Sequence, residues 1–167
     1  MYARLADGTI LLLRPIRPDD KRLLSHGSAG FSRETLARRF LTPKRRLSAA
    51  ELRYLTEVDG HRHVAYVAVL PKDPQRLMAV GRWVRLHDRA DAAEVAIVVA
   101  DRWQNRGVGS LVGAALADEA RFRGIRRFTA TMQADNVPAH RLMAKLTDRL
   151  EQRHNGPLDE LAAELAA

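Results

Sequence analysis

Glu94-Val95-Ala96-Ile97-Val98-Val99-Ala100-Asp101-Arg102-Trp103-Gln104-Asn105-Arg106-Gly107-Val108-Gly109-Ser110-Leu111-Val112-Gly113 is the stretch whose reading decides the fold. Glu94 to Val99 is a β-branched, apolar run of strand length; a polar turn follows, then two glycines one residue apart, then an amphipathic segment. The order is strand, glycine-rich turn, helix. In the helix Val108, Leu111, Val112, Ala115, Leu116 and Glu119 fall at i, i+3, i+4, i+7, i+8 and i+11, an apolar stripe with a charged end, and Gly124 closes it. A helix start made of small residues leaves unpaired backbone N–H groups at the positive end of the helix dipole, which holds phosphate without a cationic side chain. A phosphorylated ligand is therefore expected at Gln104 to Ser110.

Outward from this stretch, the strand is apolar at consecutive positions rather than alternating, the pattern of a strand covered on both faces in mid-sheet. Arg127 to Met132 reads as the next strand, so the intervening helix makes a right-handed parallel crossover. Gln133 to Pro138 is a turn and Ala139 to Leu146 a short helix. Upstream, Thr9 to Arg14 is a strand, and Pro15 and Pro18 lead to a helix opened by Asp19-Asp20. Ser32 with Glu34 starts a helix through Phe40, and Ser48-Ala49-Ala50-Glu51 is a capping box for a helix to about Thr56. Val64 to Leu70 and Met78 to Leu86, around Pro71, Asp73 and Pro74, predict an antiparallel hairpin. The tail has two readings. Asn155-Gly156 marks a hairpin of Leu150 to His154 with Leu158 to Leu165, whereas Asp159 to Ala167 is rich in helix formers.

The 167 residues fit one domain, 1–167, able to bury roughly two-thirds of the unfolded surface. Without cysteine, disulfides, thiolate metal sites and a cysteine nucleophile are excluded. The longest early apolar run, Ile10 to Leu13, is too short for a signal-peptide core or a membrane span, so no membrane partner and a cytoplasmic location are expected. The net charge of +8 permits a polyanionic partner but selects none. Its clusters, Arg38-Arg39, Lys44-Arg45-Arg46 and Arg121 to Arg127, are scattered, so solvated helix faces are favoured over a nucleic-acid surface. His61 and His63 are expected on one strand face without a third ligand, and no metal is assigned.

Three phosphate-binding readings compete for the glycine turn, beside a turn that only lets the helix pack on the sheet. A P-loop needs a lysine after its last glycine, where Ser110 stands. A dinucleotide fingerprint needs G-x-G-x-x-G, but Gly113 lies one residue too far, although Asp135 could imitate the ribose-binding acid. The third rests on resemblance. Gln104-Asn105-Arg106-Gly107-Val108-Gly109 resembles the Q/R-x-x-G-x-G/A pyrophosphate signature of GNAT-type N-acetyltransferases. The preceding strand, the Ala115 to Gly124 segment, the strand Arg127 to Met132 and Asn136 agree in order and spacing. Leu13-Arg14-Pro15-Ile16-Arg17-Pro18-Asp19-Asp20, the Arg39-Phe40-Leu41-Thr42-Pro43 region and the Ser48 to Asp59 segment further resemble the acetyltransferase domain of bacterial Pat-type protein lysine acetyltransferases.

That resemblance, covering about residues 5 to 146, implies an α/β (α+β) fold. Its mixed, mostly antiparallel central sheet carries helices on both faces and a splay between the two central parallel strands. It implies acetyl-CoA as co-substrate, with its pyrophosphate on the backbone of Gln104, Asn105, Arg106, Gly107, Val108, Gly109 and Ser110. The pantetheine arm would lie along Ile97, Val98 and Val99, Asn136 would contact the cofactor, and Arg102 or Arg106 would add charge complementarity. An amide near Val99 would stabilise the oxyanion. Glu94 matches a general base, the other reading being an ion pair with Arg82 or Arg85. The acceptor would be a primary amine, a protein lysine ahead of a small amine.

Departures from the family pattern are Met143 and Leu146 where many members carry a tyrosine acid, and Leu146-Thr147-Asp148 in place of Leu-Gly-Phe. The length leaves no room for the second domain that Pat-type proteins often have. A non-catalytic acyl-CoA-binding module is the alternative, and a dimer is left open.

Overall fold

The computed structural model describes residues 1–43 and 46–166. Lys44 and Arg45 of the central basic cluster, and Ala167 of the tail, lie outside the described residues. In chain order the elements are β1 (Tyr2–Arg4), β2 (Ile10–Pro15), α1 (Lys21–Gly27), α2 (Arg33–Phe40), α3 (Ala49–Thr56), β3 (His63–Leu70), β4 (Asp73–Arg85), β5 (Ala92–Val99), α4 (Val108–Phe122), β6 (Arg127–Gln133), α5 (Val137–Leu146), β7 (Thr147–Asn155) and β8 (Leu158–Leu165). The strands form one sheet in the order β1-β2-β3-β4-β5-β6-β8-β7. Every neighbouring pair is antiparallel except β5 with β6. This is the expected mixed sheet, with β5 in its middle.

Local chemistry accounts for most element ends. Ser32 caps α2 by accepting from the Thr35 N–H, and Ser48 with Glu51 makes the expected capping box of α3. Gly124, at φ +75°, follows α4, and Gly107, at φ +87°, precedes it, both in the left-handed region that costs glycine little. β4 begins at Asp73, earlier than Met78, because Leu77 and Asp73 keep pairing with β3 across two register shifts.

Two apolar clusters fill the two faces of the sheet. Val112, Leu116 and Ala120 of α4 pack with Trp83, Phe128 and Leu13 on one side. Leu23 and Leu24 of α1 and Leu55 of α3 pack with Val67, Val69 and Val80 on the other. Full burial of a Leu or Val side chain contributes about 1.5–3 kcal/mol, so each face is anchored by several such contacts. Close approach of α4 depends on glycine. A Cβ on Gly81 would lie 2.5 Å from Val112 Cγ1, and one on Gly113 would lie 2.8 Å from Leu146 Cδ1 of α5.

The tail is a hairpin and not a helix. Its two-residue loop is Gly156-Pro157, since Asn155 already pairs with Leu158, one position beyond the Asn155-Gly156 turn expected. β8 inserts between β6 and β7, pairing from Arg127 with Glu164 to Gln133 with Leu158. Asp159, Leu161, Ala163 and Leu165 are buried at alternate positions, the period of a strand. β7 begins at Thr147 and is exposed beyond it; its charged residues discourage pairing with another chain.

Candidate active site

β5 and β6 are paired only from Ala92–Arg127 to Glu94–Thr129. Beyond Glu94 the strands part: the end of β5 lines a cleft of about 550 Å³, while Ala130, Thr131 and Met132 of β6 line a smaller cavity of about 80 Å³. Ile97, Val98 and Val99 form one side of the cleft, and Asn136, Ala139 and Leu142 belong to the other. This is why the second half of β5 is only half-buried, whereas an apolar strand covered on both faces was expected. The Val99 carbonyl accepts from Gln104 Nε2 at 3.1 Å, which ties the end of β5 to the glycine turn.

The glycine turn lies at the mouth of the cleft. Gln104, Asn105, Gly107, Gly109 and Ser110 all line it. Asn105 at φ +57° and Gly107 at φ +87° bend the chain back so that α4 starts there. The N–H groups of Val108, Gly109 and Ser110 belong to the first turn of α4, where no intrahelical acceptor exists, and that turn contains no acidic residue. An anion is favoured at such a place. Asn136 caps α5, its Oδ1 accepting from the Ala139 N–H at 3.4 Å, and it lines the cleft as expected.

Two expected contributions differ. The Arg106 side chain turns away, paired with Asp7 and stacked on Trp103 at 4.4 Å, while Arg102 stacks on the same indole at 5.1 Å. Neither guanidinium lines the cleft, because both have closer partners in the turn. The Thr9 N–H and then Arg106 hold the Asp7 carboxyl down at about 2. Val108 is fully buried and does not line the cleft.

The cations of the cleft come from α2 and α5 instead: Arg38, Arg39, Arg141 and Lys145. Helical periodicity alone could not announce Arg38 and Arg39, which read as a solvated face. Arg38 is held by Glu34 at 2.8 Å and reaches Asn136 Oδ1 at 3.5 Å and Asp135 at 3.9 Å. Asp135, the residue that could imitate a ribose-binding acid, thus pairs with Arg38 of α2. Asp101 ties α2 to the turn, accepting from the Ser32 N–H at 3.1 Å and from the Thr35 hydroxyl at 2.9 Å. These bonds, the Ser32 N–H foremost, lower the Asp101 pKa against the effect of its burial.

Glu94 stands on β5 just where the splay begins, exposed and upstream of the residues that line the cleft. Among the described residues no cation lies within ion-pair distance of it, so the alternative reading, a pair with Arg82 or Arg85, is not formed. Arg85 donates to the carbonyls of Ala90 and of Arg123, the latter at 2.9 Å. Arg82 is buried, donating to Leu55 O at 3.1 Å and His63 Nε2 at 3.0 Å. Arg39 lies within electrostatic reach of Glu94; burial lowers its pKa, and Glu94 followed by Tyr54 opposes that.

His61 and His63 do not share a strand face. His61 sits in the turn before β3, its N–H donating to Asp59, while His63 opens β3 with its ring 5.1 Å from that of Tyr54. On α5, Met143 and Leu146 are buried and line a smaller cavity of about 80 Å³ behind the cleft, between Ala96 and Thr131.

The sheet opens between two parallel strands, and the start of α4 lies at the mouth of the opening. The chain belongs to the GNAT acetyltransferase family: the model of the acetyltransferase (GNAT) domain matches residues 11–147. Acetyl-CoA is the co-substrate of that family. Over 143 residues the chain is 38% identical to the acetyltransferase Pat of Mycolicibacterium smegmatis, spanning 83% of this chain and 41% of that protein. It is 29% identical over 133 residues to an acetyltransferase of Pseudomonas aeruginosa, spanning 79% of this chain and 71% of the relative. The crystal structure of the GNAT domain of S. lividans PAT superposes with a TM-score of 0.89 at 30% identity, over 99% of this chain and 96% of that one. The cAMP-binding acyltransferase of Mycobacterium smegmatis superposes at a TM-score of 0.71 and 28% identity; this chain spans 47% of it. The chain thus spans less than half the length of the mycobacterial relatives.

Proposed function

We propose that this domain moves the acetyl group of acetyl-CoA directly to a primary amine, a protein lysine ahead of a small amine, with Glu94 as general base. The splay carries the reading: the start of α4 lies at the mouth of one cleft, and Glu94, with no ion-pair partner among the described residues, lies where β5 and β6 part. The pyrophosphate would rest on the backbone of Gln104 to Ser110, the pantetheine arm along Ile97 to Val99, and Asn136 would contact the cofactor. The lysine acceptor rests on the likeness to Pat-type domains.

The chemistry needs a base. A lysine amine with pKa near 10.4 is almost wholly protonated at pH 7, and presenting its neutral form costs about 4–5 kcal/mol. Glu94 takes the proton, directly or through water; the neutral amine attacks the thioester carbonyl to form the C–N bond; the C–S bond breaks, CoA leaves as thiolate, and the proton shed by the new amide nitrogen passes through water to that thiolate. A thiol pKa of about 8.5 makes that departure tolerable without a tyrosine acid, which the α5 positions Met143 and Leu146 do not supply. Acetyl-CoA titrated by calorimetry is expected to bind equally to wild type and Glu94→Gln. Turnover is expected to fall about 100-fold or more in the variant. Equal turnover would remove Glu94 from the reaction, and no CoA binding by the folded protein would end the whole reading.

A further inference from the structure

The two cavities at the splay meet in a neck. Arg38, Arg39, Ile97, Asn136, Ala139 and Leu142 line both the 550 Å³ cleft and the 80 Å³ cavity. Val99 and the glycine turn line the cleft alone, whereas Ala96 lines the small cavity alone. The pantetheine arm proposed above, running from the turn back along Val99 to Ile97, brings its thioester to this neck. Met143 and Leu146, on the small-cavity side, offer the sulfur no proton donor.

Arg38 spans the neck from α2 to the cap of α5. Its side chain is 26% exposed and pairs with Glu34 at 2.8 Å, while its guanidinium lies 3.9 Å from Asp135 and 3.5 Å from Asn136 Oδ1. The side chains of Glu34 and Asp135 are 73% and 78% exposed, so water screens both carboxylates, and a surface pair of this kind holds weakly. The positive charge is thus left to act on an anion that forms inside the neck. Arg39, the second cation there, instead lies over the Phe40 ring at 5.0 Å.

We infer that Arg38 holds the departing CoA sulfur, stabilising as an ion the thiolate for which α5 supplies no acid. As the amine nitrogen bonds to the acyl carbon, the C–S bond breaks and its electron pair goes to sulfur. The guanidinium N–H groups donate to that sulfur without giving up a proton, since arginine keeps its charge at neutral pH. The proton still reaches sulfur through water. A fixed cation accelerates the step because the charge it meets develops only in the transition state. The inference rests on the acetyl transfer proposed above and deepens it by adding a residue on the leaving-group side.

Because the chain has no cysteine, the ultraviolet absorbance of thiolate, followed against pH in the CoA complex, reports the bound CoA sulfur alone. Bound to wild type, the CoA thiol is expected to titrate about one pH unit or more below a free thiol's value of about 8.5, the effect of a cation within a few ångströms. In Arg38→Gln saturated with CoA the titration should return to the free value, and in Arg38→Lys, which keeps the charge without the fork, it should stay partly lowered. With acetyl-CoA, kcat should fall about 10- to 100-fold in Arg38→Gln while KM for acetyl-CoA changes little, the loss of one charge-assisted hydrogen bond in the transition state. Arg141→Gln removes a cation that lines the cleft but not the neck, and is expected to leave the thiol titration as in wild type. An ordinary thiol in the wild-type complex overturns the inference, as does an equally lowered thiol in Arg38→Gln. Loss of CoA binding in that variant, or an Arg141→Gln change as large as that of Arg38→Gln, overturns it too. An acidic bound thiol without acetylation of any amine sustains the inference and sinks the transfer reading, whereas an ordinary thiol with turnover sinks the inference alone.

Discussion

The ring of His63 accepts from Arg82, a bond that needs a neutral Nε2 because arginine only donates. Burial, and then the Arg82 charge, lowers the His63 pKa from 6.5 to about 4, with Asp59 pulling the other way. Between those values the unfolded chain binds a proton that the folded chain refuses. Stability from this group is therefore complete above about pH 6.5 and falls as pH drops towards 4. The thermal midpoint should decline across that window, and His63→Gln should decline less steeply from its own starting value. Parallel slopes would assign the acid sensitivity to other groups. At this scale the backbone positions of the site were legible, because glycine spacing records a conformation. The side-chain roles were less so: Arg82 is an ordinary arginine in sequence, and only burial against α3 and β3 strips it of water. Arg106, beside the glycines, was expected to serve the ligand, yet Asp7, distant in sequence, captures it.

Among elements, the seating of α4 is the most sensitive contact. Gly81→Ala would press a methyl to 2.5 Å from Val112 Cγ1 and 2.8 Å from Leu116 Cδ1, both rigidly packed. Overpacking of this kind costs about 1–3 kcal/mol. Because α4 carries the glycine turn at its start, the same change should weaken acetyl-CoA binding, measured by calorimetry, together with lowering the thermal midpoint. A loss of stability with unchanged binding would mean that the turn is held independently of the helix seat. The helix itself, its apolar stripe and the caps of α2 and α3 were readable because those signals are local. The tail was not: alanine, leucine and glutamate in β8 favour a helix intrinsically, and pairing along the whole of β6 outweighs a preference worth tenths of a kcal/mol per residue.

In the whole molecule, the tail hairpin closes the sheet beyond β6. Removal of residues 147–167 would bare the β6 edge and uncover the neighbours of Leu161, Ala163 and Leu165, which are buried in the main core. Such a truncated chain is expected to lose cooperative unfolding and to aggregate, checked by circular dichroism melting and soluble yield. A soluble, cooperatively folded product would make the hairpin an accessory. By itself the sequence determined most of the succession of strands and helices from β2 to α5 and the parallel crossover around Gly107 and Gly109. All of these follow from periodicity, capping and glycine geometry over a few neighbouring residues. Tertiary structure alone decided where β5 and β6 part, that β8 slips between β6 and β7, and that Arg38, Arg39, Arg141 and Lys145 line the cleft. These arrangements depend on contacts between segments far apart in the chain, where burial and packing energies exceed any local preference.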